Sequence, residues 1–388
     1  MKWSKRSNAL FLALSLLAGG SWAADETRSF QVKNRLRFEY DDNVYERAND
    51  TQDSFKIVEE VEFLVNLNLP QSFVGLRYRP TFVWWSDRES DDTDFHHDLD
   101  VTLSHTFTER LSISLKDTLR LAEQSEAIDR GTVVRENNDF IYNTADGKLA
   151  YKLGRGTRAE AGYRNTILRY DENDVADTED YDINAGGLTL RQQILKKTVI
   201  AGEYRYEAID YNGPDRGAES HYAGAGFEQI FSPNLVGNLR AGYQMKQFND
   251  NSIDDANQPY ADAAMTYLPS PRTRLTAGAG YSLFEADVYP YASQDRTMLF
   301  LSVAHDLTAK ISIYASGSYQ LSQYNADQSI EDGVADGDEN VYQFSARTSC
   351  KINRSNWVEV GWQYLELQSD IREDFDRNRI ELGWRTQI

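Results

Sequence analysis

The sequence predicts an all-β protein, a transmembrane antiparallel up-and-down β-barrel of about 18 strands. Three observations carry this expectation. Apolar and polar residues alternate with a period of two along almost the whole chain, which gives each segment one apolar and one polar face. Connections alternate between short turns and long acidic loops, about eight and nine of them, as in barrels with periplasmic turns and extracellular loops. The segments average about 11 residues, twice the usual strand of a soluble sandwich and enough to cross a bilayer at a tilt. The mean hydropathy of -0.61 agrees with this picture, because only alternate residues meet lipid.

The first 23 residues read as a secretory signal peptide. Lys2, Lys5 and Arg6 form its positive end, Ala9 to Ala18 its apolar stretch, and Ser21-Trp22-Ala23 its small-x-small cleavage site. The barrel is expected over residues 24–388. Loss of the three cations takes the formal charge from -20 to -23. No plug domain or periplasmic helical repeat is expected ahead of the first strand, which disfavours an energised receptor.

The strands then follow in order. Phe30, Val32, Leu36, Phe38 and Tyr40 alternate with Gln31, Lys33, Arg35, Arg37 and Glu39. Phe55 to Leu69 keep one parity up to a turn at Pro70 to Ser72, after which Val74, Leu76, Tyr78, Phe82 and Trp84 oppose Arg77 and Arg79. Leu99 to Phe107, Leu111 to Leu121 and Ala159 to Ile167 repeat the pattern. So do segments around Tyr204, Tyr243, Ala277, Leu301, Ile313 and Val360, and the chain closes on Ile380, Leu382 and Trp384 against Arg379, Glu381 and Arg385. Tyr and Trp recur near strand ends, where an interfacial girdle belongs. A closed barrel also satisfies every backbone polar group inside hydrocarbon. With a secretory signal and no apolar run of about 18 residues, the expected location is the outer membrane of a Gram-negative cell.

Composition narrows the function. One Cys excludes a disulfide framework and cysteine-rich zinc sites. The acidic balance argues against a nucleic-acid partner. The five His are scattered; His96 and His97 point to opposite faces of a strand, and Ser104-His105 fails as a dyad for the same reason. No catalytic residue, metal ligand or cofactor is therefore expected. Asp327 to Glu339 has the acids and glycines of a calcium loop without its D-x-D-x-D-G order. Cys350 falls on the apolar parity.

The polar parity, assigned to the lumen, holds about 21 Arg or Lys against about 13 Asp or Glu. Lys33, Arg35, Arg37, Arg77, Arg79, Arg379 and Arg385 are the residues expected to contact an anion, since the last strand should pair with the first and bring them round one seam. The bland alternative is that these cations pair with Glu39, Glu60, Glu62 and Glu381 and brace the wall. The loops carry the opposite sign, for example Asp87, Glu89, Asp91, Asp92 and Asp94, and Asp171 to Asp180.

The segments NRLRFEYDDNVY (Asn34 to Tyr45), GEYRYEAIDY (Gly202 to Tyr211) and RNRIELGW (Arg377 to Trp384) resemble the putative β-barrel porin-2 family, and the resemblance spans nearly the whole mature chain. It implies a porin of about 18 strands that exports an extracellular polysaccharide with a periplasmic export protein. One departure is Ile388, where outer-membrane barrels usually end in an aromatic residue read by the barrel-assembly machinery. Taken together, the leading expectation is a passive exit pore for an anionic exopolysaccharide, surrounded by outer-membrane lipid and lipopolysaccharide. The alternatives are a general porin taking up small anionic solutes, an outer-membrane hydrolase, and an adhesive or structural barrel.

Overall fold

Alternation of this length leaves a chain only one way to hide both its backbone and its polar face from lipid, and the protein takes it. The computed structural model describes residues 29–88, 92–122, 139–213, 216–326 and 333–388. Among them are 18 strands. The first six are β1 (Phe30–Asp41), β2 (Ser54–Asn68), β3 (Ser72–Trp85), β4 (Thr93–Thr106), β5 (Leu111–Ala122) and β6 (Phe140–Gly154). Next come β7 (Thr157–Tyr170), the short helix α1 (Asn173–Glu179), β8 (Tyr181–Leu195), β9 (Thr198–Tyr211), β10 (Ala218–Ser232), β11 (Leu235–Phe248) and β12 (Ala256–Ser270). The last six are β13 (Thr273–Glu285), β14 (Ser293–Asp306), β15 (Ile311–Asn325), β16 (Gly337–Lys351), β17 (Asn356–Ser369) and β18 (Phe375–Gln387).

Each strand pairs antiparallel with its sequence neighbours, and β1 pairs with β18, so the sheet closes and has no edge. The seam is in register from Lys33 opposite Gln387 to Asp41 opposite Arg379. Beyond it, Ile388 and Val32 exchange backbone hydrogen bonds. Strands run from 12 to 15 residues, longer than the expected 11. The extra length has a simple cause: about 10 residues cross the hydrocarbon, and the ladders continue past it.

The outer face carries the large apolar side chains. Phe38, Leu190, Leu301 and Leu382 are each about half exposed, and Cys350 stands on the same face opposite Ile311. The inner face carries the charged and hydroxyl residues, many of them buried against one another. This inverts a soluble protein, and it follows from a lipid solvent.

Turn chemistry sets the short connections. Thr108 and Thr308 occupy matching turns, and each hydroxyl accepts backbone N–H bonds from the residues two and three further on, at 3.0 to 3.2 Å. Gly156 has φ +83°, so the two-residue turn between β6 and β7 needs a residue without a Cβ there. The long connections fold inward over the opposite mouth. Val175 and Ala176 of α1, Ile253 and Ala292 pack on the lumen-facing Phe140, Tyr142, Tyr170 and Phe248. Val44 meets Val58, Val83 and Trp85, while Ala286, Tyr291 and Tyr324 form a third cluster with Val334 and Ile371.

Candidate pore wall

Parity alone delivers Lys33, Arg35 and Arg37 to the inner face of β1, and the seam register delivers their neighbours. Arg35 stands directly opposite Arg385 on β18, and Glu39 opposite Glu381. Two like charges across a ladder repel, and the wall resolves both clashes by interleaving. Glu359, from β17, takes Arg35 Nε at 2.8 Å on one oxygen and lies 3.1 Å from Arg385 Nε on the other. Arg37 bridges Glu39 and Glu381, reaching the latter at 3.2 Å and Glu60 at 3.0 Å. Glu381 also receives Arg35 Nη2 and Arg347 Nε, each at 2.9 Å. A Cβ on Gly361 would come within 2.5 Å of the Glu381 carboxylate, so the glycine makes the space this carboxylate occupies.

The lattice extends along the wall. Lys33 Nζ donates to Glu62 at 2.7 Å. Arg77 pairs with Asp100, and Arg79 Nε donates to Asp98 at 3.0 Å, which Arg120 also reaches at 3.0 Å. Near the loop end, Arg379 Nε donates to Asp41 at 3.0 Å.

All seven cations chosen from the sequence therefore lie in one band of the wall, and all seven are ion-paired. They differ in what they offer the pore. The side chains of Arg77 and Arg79 are 38% and 30% exposed, whereas those of Lys33, Arg35, Arg37 and Arg385 are between 15% and 19%. Arg379, at 24%, lies between.

Sequence reasoning missed Arg377. Its guanidinium holds Asp41 at 2.9 and 2.6 Å and Glu46 of the first loop at 2.8 Å, and it ties the loop to the seam. Its parity with Arg379 was the available signal. Glu359 was also overlooked as a partner, since no local pattern shows that a β17 carboxylate faces Arg35.

The histidines behave as their spacing implied. His97 meets Tyr78 on the outer face at 2.9 Å, and His105 bonds Ser72 at 2.7 Å rather than Ser104. In the calcium-like segment, Asp327 to Asp332 lie outside the described residues, as do Glu89, Asp91 and the signal peptide. At the loop mouth, buried Arg216 lies 3.5 Å from Glu179 at the end of α1 and stacks on Tyr211. Burial there raises the Glu179 carboxyl above its ordinary value, against the pull of Arg216.

Comparisons with known proteins agree with this architecture. Residues 198–388 match the family described as Putative beta-barrel porin 2. No curated protein sequence matches the chain. Among solved structures, OccAB4 of Acinetobacter baumannii is similar at 12% identity and a TM-score of 0.51, covering 94% of this chain and 100% of that one. OccK2 (OpdF) of Pseudomonas aeruginosa is similar at 11% identity and 0.52, covering 92% and 98%. OpdK of the same organism, solved with vanillate, is similar at 10% identity and 0.52, covering 92% and 99%. At such identities the likeness shows the fold.

Proposed function

We propose that this outer-membrane β-barrel porin, matched to the putative beta-barrel porin 2 family over residues 198–388, passes small anionic solutes by passive diffusion. The observation that carries this reading is the pair Arg77 and Arg79. Asp100 and Asp98 fix these side chains, which remain 38% and 30% exposed on the lumen face. A guanidinium held in place with N–H donors to spare can receive a carboxylate, sulfate or phosphate and release it again. Lys33, Arg35, Arg37 and Arg385 support the wall behind them, and Arg379 contributes near the mouth. A vanillate-bound structure in a barrel of similar fold is compatible with carboxylate solutes.

The polysaccharide reading took its cargo from the family resemblance, and no comparison supports that cargo. The mouth favours small solutes, because three apolar clusters fold the loops inward over the lumen. The hydrolase reading lacks a triad among the described residues: Ser72 meets His105 on the outer face, and no carboxylate bonds that imidazole.

Reversal potentials in a KCl gradient across a planar bilayer test the proposal. Anion selectivity is expected, and Arg77→Gln with Arg79→Gln should lower the anion-to-cation permeability ratio by roughly twofold. Cation selectivity of the native pore would overturn it.

A further inference from the structure

Among the described residues the two ends of the barrel carry opposite charge, and the turn end carries exposed cations that pair with no described carboxylate. In the described long loops, twenty-one Asp or Glu face four Arg. The short turns reverse this. Arg110, Arg155, Lys196 with Lys197, Arg272, Lys310 and Arg354 occupy six of the eight turns, all exposed, with Glu109 as the acid among them. Just above them, Lys152 and Arg274 sit on the lumen parity near the turn-side ends of β6 and β13 and are exposed as well. None of these nine cations ion-pairs with a described carboxylate. The seam arginines all do. Pairing within the wall would satisfy a structural need, so cations left open at one rim point to a charge that comes from outside the protein.

We propose that the turn end of the barrel, its periplasmic mouth, is a vestibule that binds small multivalent anions. It makes the pore an asymmetric conductor, with anions held at the turn end and repelled at the loop end. This rests on the anion-channel reading and adds where along the axis the anion is held. At about 0.1 M salt, charges act over about 10 Å, so neighbouring turns sum their fields over the opening; at 1 M the range falls to about 3 Å and the sum is lost. A water-filled opening with one sign of charge round its rim concentrates counter-ions there.

The test uses the full barrel in planar phosphatidylcholine bilayers. Orientation is read from the response to a membrane-impermeant thiol reagent at Ser252→Cys, in the loop after β11. In 0.1 M KCl, citrate added on the turn side should reduce the conductance at a concentration roughly threefold lower than citrate added on the loop side. The difference should vanish in 1 M KCl. An Arg155→Gln, Lys196→Gln, Lys197→Gln variant, which removes three of the nine cations, should show a smaller side preference. These side chains lie in exposed turns, and an unchanged heat-dependent gel shift checks that the barrel still forms. Equal block from both sides of the native pore, or a preference that is undiminished in the folded variant, overturns the vestibule. The two readings fail separately: an anion-selective pore with side-independent block removes only the vestibule, whereas a cation-selective pore removes the reading beneath it.

Discussion

Glu381 shows how one carboxylate can organise a membrane wall. Three guanidiniums, from Arg35, Arg37 and Arg347, converge on it from two different strands. Its side chain is 6% exposed, so removing its charge leaves several cations facing one another in a poorly hydrated wall. Glu381→Gln should therefore destabilise the barrel by about 3 kcal/mol, read as a lower urea midpoint in detergent; an unshifted midpoint would show that Glu60 and Glu359 compensate. At the mouth the relevant charge is Glu179. Burial raises its carboxyl above the unfolded value, so the folded loop prefers the protonated form. That stabilisation is complete below the unfolded value of about 4.3 and declines as pH rises through the raised one. Amide protection factors across residues 173–179, taken relative to the intrinsic exchange rate at each pH, should be larger at pH 4 than at pH 7, and the reverse order would contradict the assignment.

A strand here is defined by its two faces, and the faces tolerate different chemistry. Leu301 on β14 points to lipid and is 53% exposed, while Ser302 beside it points to the lumen and pairs in register with Ser316. Leu301→Lys should cost about 2–4 kcal/mol near the bilayer midplane, whereas Ser302→Lys should fold nearly as the native chain does. Folding yield into phospholipid vesicles separates the two; equal yields would mean the parity is wrong. The same parity was legible in the sequence for thirteen of the strands, because side chains alternate by local geometry whatever the partner strand is; β6, β8, β10, β12 and β16 were counted from the connections instead. The count of eight short turns was legible too. Strand length was read too short, since hydrophobicity marks the part of a strand in lipid and is silent about the ladder beyond it.

For the molecule as a whole, closure is the decisive event. β18 seals the sheet by pairing with both β17 and β1. A chain ending at Asp376 loses this strand, exposes two long edges and should form no species that keeps its compact gel mobility without heating; a persistent compact band would mean that a smaller barrel can close. Closure also brings together charges more than 300 residues apart, such as Arg35 with Glu359 and Arg377 with Asp41.

The sequence by itself determined the strands, their faces, the alternation of turns and loops and the acidic crown, because each of these depends on neighbours a few residues away. It also selected the basic band. Which carboxylate each arginine would meet was decided by the tertiary structure. That pairing depends on the register between β18 and β1, and a shift of one residue there would exchange lumen for lipid along the whole seam. The inward fold of the loops was decided there as well. Val175, Ile253 and Tyr291 carry no periodic pattern, and they find their apolar partners, the first two in one cluster and Tyr291 in another, only when the barrel has closed and set them round one mouth.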